Sequence, residues 1–219
     1  MNYFVLLCGG SGKRMNIVTP KQYLKYKDMY IFMYPLLTAI KSKLFKKILI
    51  VANENYFSLI KDATKKYKNI ELIKGGKTRQ ESVFNALNYF DDINDKDYIM
   101  IHDSARIFIK TELLKLLIDS AKKGRNSIPF KYEKNALFDS KSNQYLDRES
   151  IKIIETPQTF KLSEIKMAHT LAKKEKYVNV LDDGCLFLKY IAPLNFVENK
   201  QYNLKITTLE DIKEIEKYL

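Results

Sequence analysis

Four apolar runs of strand length, each followed by a loop and then by a stretch of helical periodicity, constrain this chain more than any other feature. Tyr3–Cys8, Lys47–Ala52, Ile70–Ile73 and Tyr98–His102 read as strands, and residues 32–43, 55–67, 80–90 and 111–123 read as helices. Strand–helix alternation at this spacing predicts an α/β fold: a mostly parallel sheet flanked by helices on both faces. Ligands of such sheets sit beyond the C-terminal ends of the strands. The loops Gly9–Arg14, Gly75–Arg79 and Asp103–Arg106 all follow a predicted strand, so they are expected to converge on one edge.

Residues 131–156 break the rhythm. Charges mix there with single apolar residues around a turn-like Ser140–Asn143, and the stretch ends at Thr156-Pro157. It reads as a protruding β-hairpin arm. Helices near 163–175 and 183–190, a strand near 194–197 and a last helix from Leu209 complete the chain, with no internal repeat. A length of 219 residues fits one domain over 1–219 with the arm as its appendage.

The formal net charge of +12 suits an anionic partner. Many lysines, such as Lys65-Lys66 and Lys122-Lys123, fall at polar helix positions and read as a solvated face. No arginine-rich stripe with interleaved aromatics appears, so a nucleic-acid binder is not favoured. The opening apolar run is too brief to span a membrane and has no charged leader or cleavage site; it reads as the first strand. Cys8 and Cys185 are the only cysteines and lack metal-ligand spacing, which disfavours a disulfide framework and points to a cytoplasmic protein without a membrane partner.

Chemistry concentrates in the loops. In Gly9-Gly10-Ser11-Gly12-Lys13-Arg14, closely spaced glycines let backbone N–H groups turn onto an anion, and two cations add charge. A Walker loop needs Ser or Thr where Arg14 stands, and a dinucleotide fingerprint needs glycine where Met15 stands. A plain glycine-rich turn with two exposed cations reads the same. Lys21, held by Pro20, faces the same phosphate chain as Arg14 or is an ordinary surface lysine. Gly75-Gly76 admits a flat base, and Ser82 either hydrogen-bonds a base edge or caps its helix. Asp103, at a strand's end beside a phosphate site, is placed to hold Mg²⁺. His102 reads better as a satisfied core histidine than as an acid or base, and His169 receives no role.

The motifs together resemble the cytidylyltransferases that act on 2-C-methyl-D-erythritol 4-phosphate, in isoprenoid biosynthesis, and their relatives that act on ribitol 5-phosphate. The resemblance spans the chain through Leu7–Met15, Pro20–Leu24, Gly75–Val83, His102–Arg106, Asp147-Arg148, Thr156–Phe160, Asp182-Asp183 and Asn203–Thr207. It implies a Rossmann-like sheet of the nucleotide-diphospho-sugar transferase type and transfer of CMP from CTP to a small polyol phosphate, with Mg²⁺ as cofactor. Arg14, Lys21 and Lys205 match the catalytic cations on the CTP phosphates, with Lys13 as helper. Cys8, Gly9, Gly10, Gly12, Gly76, Arg79 and Ser82 fall at nucleotide-binding positions. Asp103, at the metal and the substrate hydroxyls, Arg106 and Arg148 fall on the acceptor side. Arg148 matches an arginine reaching across to the partner subunit's substrate, which implies a homodimer through the arm.

A phosphate monoester is largely dianionic at neutral pH, with its second pKa at about 6, so it can attack the α-phosphorus of CTP without a general base. The site must instead bring two anions together and stabilise the transferring group. Glycine, lysine and arginine serve that need. The chain also departs from the family: its usual Asp-Thr pair falls at Tyr132-Glu133, Ile107 replaces the proline after Arg106, and Leu181 replaces the Thr before Asp182. Gly9-Gly10, Asp103-Ser104, Thr156–Phe160 and Asn203–Thr208 look closer to the ribitol 5-phosphate group. Pro20–Leu24, and Arg79-Gln80 with Ser82-Val83, look closer to the methylerythritol group. The expectation leans to ribitol 5-phosphate or a related alditol phosphate, giving a CDP-alditol; a UTP- or GTP-dependent transferase and a non-enzymatic nucleotide- or nucleic-acid-binding module are the competing readings.

Overall fold

A computed structural model describes residues 1–10, 19–178 and 180–215. From the N-terminus, β1 (Asn2–Leu7) precedes a short 3-10 turn at Lys21–Tyr23, a small ribbon of β2 (Lys25–Tyr26) and β3 (Met29–Tyr30), and α1 (Met33–Ser42). Next come β4 (Lys47–Ala52), α2 (Phe57–Thr64), β5 (Ile70–Lys74), α3 (Arg79–Leu87), β6 (Tyr98–Asp103) and α4 (Thr111–Gly124). The arm region holds β7 (Asn126–Tyr132), β8 (Leu137–Asp139), β9 (Gln144–Leu146) and β10 (Lys152–Ile154). β11 (Gln158–Lys161), α5 (Leu162–Lys174), α6 (Asp183–Tyr190), β12 (Phe196–Glu198) and α7 (Leu209–Ile215) follow.

The sheet runs β10-β7-β11-β6-β1-β4-β5, with β12 also on β7. β6, β1, β4 and β5 are parallel, and β11 enters antiparallel between β6 and β7. β1 therefore lies beside both β4 and β6, and chain order reverses between β1 and β6. That reversal opens the crevice in which open α/β sheets bind ligands.

Both faces of the sheet are covered, which is why the strands read as unbroken apolar runs. Along β1, Tyr3, Val5 and Leu7 join a core with Val83 and Leu87 of α3, Ile165 and Ala168 of α5 and Phe187 of α6. Phe4 and Leu6 face the other way, onto Leu36 of α1, Ile60 of α2 and Leu113 and Leu117 of α4. A third, smaller core gathers Tyr26, Ile31, Ala105, Ile107 and Ile206. It fixes the segment carrying Lys205 under the loop after β6, where the Ile206 N–H donates to the Ala105 carbonyl at 2.9 Å.

The expected arm is present, with one refinement. β7 continues the sheet to Tyr132, the hairpin proper is β8–β9, and β10 returns to pair with β7 through Ile154 opposite Phe130. The strand at Gln158–Lys161 and the β2–β3 ribbon were not expected. Among the described residues no helix is long and apolar enough to cross a membrane.

Candidate active site

Two clefts meet at the C-terminal ends of β1 and β6. The first, of about 350 Å³, is lined by Gly9 and Gly10 after β1, Lys21 and Gln22, the Gly76–Ser82 turn, Asp103 and Lys205. The second, of about 330 Å³, is lined by Arg106, Ile154–Thr156, Gln158, Leu181, Asp182 and Cys185. Arg79, Asp103 and Lys205 line both, and so form the wall between them.

The first cleft is set by backbone carbonyls. Gln22 Nε2 donates to the carbonyls of Cys8 and Gly10 at 2.6 and 2.7 Å, and the Tyr23 hydroxyl donates to Cys8 at 2.8 Å. Cys8 contributes only its backbone: its thiol is fully buried, and burial pushes its pKa up to about 12. Among the described residues a Cβ on Gly10 would meet nothing within 4 Å. Lys21 Nζ donates to the Ile206 carbonyl at 2.5 Å. Gly12, Lys13 and Arg14, expected in this loop, lie outside the described residues.

Gly76 and Ser82 form one unit. The Gly76 N–H donates to Ser82 Oγ at 3.0 Å, and Ser82 Oγ donates to the Thr78 carbonyl at 2.9 Å. The hydroxyl hydrogen is thereby used, and one lone pair remains for a donor on a ligand. The capping role weighed for Ser82 falls to Thr78, whose side chain accepts from the Glu81 N–H. A Cβ on Gly76 would come within 2.3 Å of Glu81 Cβ, so this position is closed to any side chain.

The dividing wall is a charge chain. Lys205 Nζ donates to Asp103 Oδ2 at 2.6 Å, Arg79 Nε lies 3.4 Å from Asp103 Oδ1, and Arg79 Nη2 lies 2.8 Å from Asp183 Oδ2. Burial raises the pKa of Asp103, but Arg79 and Lys205 outweigh it and hold the carboxyl well below the usual carboxylate range. Burial likewise opposes the charge of Arg79, and Asp183 and Asp103 more than restore it.

The second cleft is built on buried polar groups. Arg106 Nη1 donates to the Asn203 carbonyl at 2.8 Å and lies 3.8 Å from Glu155. Glu155 accepts from Asn199 and Asn203 at 2.6 and 3.1 Å and lies 3.6 Å from Lys131. His102 ends in a closed circuit. The Asp103 N–H donates to Thr156 Oγ1, that hydroxyl donates to His102 Nδ1 at 3.0 Å, and His102 Nε2 donates to the Arg106 carbonyl at 2.9 Å. Burial pulls the His102 pKa down to about 4, so it stays neutral and structural.

Arg148 lines neither cleft. It sits on the exposed arm, donating to the Lys134 carbonyl at 2.9 Å, in a depression with Tyr132, Glu133 and Glu149. Glu133 turns onto the backbone N–H groups of Lys134 and Asn135 at 2.7 and 2.8 Å, capping its own turn. Sequence reasoning missed Asp183, Glu155 and His169 as parts of the site's support.

A metal held by protein alone does not fit these residues. Asp103 is the only carboxylate among the described residues of the first cleft, and both its oxygens face cations. Among the described residues no group of three His, Cys, Asp or Glu is arranged to hold a metal ion. The expectation of Asp103 as a Mg²⁺ ligand thus meets a carboxylate engaged in ion pairs.

A mostly parallel sheet with a hairpin arm, and a cationic junction of two clefts at its reversal point, define a nucleotidyltransferase of the nucleotide-diphospho-sugar transferase fold. The sequence model of the 2-C-methyl-D-erythritol 4-phosphate cytidylyltransferases matches residues 3–219, and the chain belongs to that family. The enzyme of that name from Bacillus cytotoxicus is 29% identical over 225 residues, covering 100% of this chain and 98% of the relative. The bifunctional enzyme IspD/IspF of Pelagibacter ubique is 35% identical over 96% of this chain, which spans only 55% of that longer protein. Among solved structures, the 4-diphosphocytidyl-2C-methyl-D-erythritol synthase of Anaerococcus prevotii superposes with a TM-score of 0.85 at 25% identity, covering 100% of this chain and 95% of its own. The Francisella tularensis 2-C-methyl-D-erythritol 4-phosphate cytidylyltransferase gives 0.84 at 26% identity, with 100% of both chains covered. These relatives move the balance from the ribitol 5-phosphate lean to the methylerythritol alternative.

Proposed function

We propose that this chain transfers CMP from CTP to 2-C-methyl-D-erythritol 4-phosphate. The observation that carries the reading is the wall of Arg79, Asp103 and Lys205 shared by two clefts, one open to the glycine loop and one to Arg106. CTP occupies the first cleft, its base at the Gly76–Ser82 unit and its phosphates toward Lys21 and Lys205. By the family resemblance, Lys13 and Arg14, which lie outside the described residues, are the further cations of this set. The acceptor occupies the second cleft beside Arg106, with its phosphate delivered to the wall.

An oxygen of the acceptor's phosphate dianion forms a bond to the α-phosphorus while the bond from that phosphorus to the β-phosphate oxygen breaks, and pyrophosphate leaves. No proton moves in this step, because the nucleophile is already deprotonated above its second pKa of about 6. Lys205 carries the electrostatic work. Its ammonium, held and oriented by Asp103, neutralises charge accumulating on the transferring group. A divalent cation accompanies the triphosphate rather than a protein-only site, and no step here depends on it.

The arm supports a homodimer. Phe138 and Tyr145 stack edge to face at 5.2 Å yet remain largely exposed, so an apolar face projects from β8–β9. Pairing through it brings Arg148 toward the acceptor cleft of the partner subunit. The two free cysteines accord with a cytoplasmic setting. The reading is tested by pyrophosphate release from CTP with this acceptor, and it fails if release requires another nucleotide.

A further inference from the structure

The chemistry above leaves unused a pair of polar side chains deep under the wall. His169 of α5 and Asp183 of α6 are sealed from solvent, with side chains 1% and 0% exposed. A buried carboxylate is costly unless opposite charge and hydrogen bonds meet it. Asp183 has a hydrogen bond on one oxygen and an ion pair on the other: His169 Nε2 lies 3.0 Å from Oδ1, and Arg79 Nη2 lies 2.8 Å from Oδ2 without hydrogen-bond alignment. Burial works to raise its pKa, and Arg79 and His169 outweigh that and keep it ionised. An ionised carboxylate only accepts, so His169 Nε2 is the donor in this bond.

Arg79 carries the chain onward. Its Nε faces Asp103 Oδ1 at 3.4 Å, and Asp103 Oδ2 holds Lys205 Nζ at 2.6 Å. Five side chains thus run without a break from the core between α5 and α6 to the meeting point of the two clefts. Among the described residues the His169 bond is the one hydrogen bond to the Asp183 carboxylate, so removing it frees the carboxylate to turn and releases the guanidinium paired with it.

We propose that His169 is a positioning residue: through Asp183 it fixes the Arg79 guanidinium, and through Arg79 it fixes the Asp103–Lys205 pair at which the substrates meet. The proposal rests on the nucleotidyl-transfer reading above. His169 touches neither cleft, so its loss acts on turnover more than on nucleotide capture. Misplacing a reacting geometry by about 1 Å costs up to about 100-fold.

Four variants test this: His169→Leu, His169→Gln, Asp183→Asn and the double variant His169→Leu/Asp183→Asn. His169→Leu is expected to lower kcat by about ten- to a hundredfold with little change in KM for CTP. His169→Gln keeps an N–H donor and should recover most of that loss. The double variant should be no slower than Asp183→Asn alone, as for residues acting in one chain. A second readout needs no activity: the Arg79 Nε–H signal in nitrogen-15 NMR should be protected from exchange in the wild type and His169→Gln, and lose that protection in His169→Leu. If His169→Leu does not fold, His169→Asn, polar but too short to reach Asp183, takes its place with the same expected loss. Equal rates for the Leu and Gln variants, or an Arg79 signal unchanged by His169→Leu, overturn the proposal. If the wild-type chain releases no pyrophosphate from CTP, the nucleotidyl-transfer reading has failed, and the Arg79 signal still decides the relay.

Discussion

Lys21 donates a hydrogen bond to the carbonyl of Ile206, one residue from Lys205, so two cations far apart in sequence share one edge of the nucleotide cleft. The same segment is pinned to the loop after β6 by the bond from Ile206 to Ala105. Backbone hydrogen bonds thus hold Lys21 and Lys205 to the same edge.

This makes the effect of removing either charge specific. Lys205→Ala and Lys21→Ala are each expected to lower kcat/KM for CTP by at least about 100-fold, the usual cost of deleting one preorganised electrostatic contact. The melting temperature of Lys21→Ala should change little, because the packing of Ile206 in the third core is left intact, whereas Lys205→Ala should also lower it by leaving the buried Asp103 carboxylate to Arg79 alone. Steady-state kinetics beside a thermal melt checks both halves. Near-normal rates in both variants would remove the clamp.

Gly76 is a steric test of the base loop. A methyl group there would lie 2.3 Å from Glu81 Cβ, and the loop must shift to admit it. Gly76→Ala is expected to raise the Kd for CTP by about tenfold or more, equivalent to about 1.4 kcal/mol of lost binding. Calorimetric titration with CTP measures this directly. The fold should survive, since the turn lies outside the sheet.

His102 gives a pH prediction with a fixed sign. Its pKa falls on burial from about 6.5 in the unfolded chain to about 4 in the native state. Between these values the unfolded chain binds a proton that the native chain does not, so stability is whole above pH 6.5 and declines as pH falls toward 4. The loss from this group is on the order of 3 kcal/mol across the window. Urea titrations across the window should show the decline, and a His102→Gln variant should show a flatter profile over the same range.

The central parallel sheet was legible because both of its faces are buried, which leaves strands such as Leu49–Ala52 with no polar residue to obscure them. β11 was not legible, because it is buried with polar residues. Gln158 is fully buried yet donates to Asp182 and accepts from the Gly184 N–H, contacts that no local pattern announces. Glycines and cations marked the nucleotide loops from their spacing after strands. Lys205 and Arg148 acquired roles only through resemblance, since each lies far in sequence from the glycine-rich loops. Asp183 read as one of two acids before a helix, and its importance lies in contacts with Arg79 and His169 that only the tertiary structure creates.

The arm yields a test of assembly. Phe138→Asp or Tyr145→Asp places a charge on the exposed apolar face of β8–β9, and sedimentation velocity should show the wild type as a dimer and the variants shifted to monomer. Because Arg148 is proposed to act on the partner subunit's acceptor, monomeric variants should lose turnover while keeping affinity for CTP. A fully active monomer would contradict the arm's role.

CMP transfer at the junction of the two clefts is read out by pyrophosphate release. The assay sets CTP, UTP, GTP and ATP against 2-C-methyl-D-erythritol 4-phosphate, ribitol 5-phosphate and related alditol phosphates. Release with CTP and 2-C-methyl-D-erythritol 4-phosphate well above every other pair is the predicted result. Preference for ribitol 5-phosphate would contradict the acceptor assignment, and no CTP-dependent release with any acceptor would contradict the reaction itself.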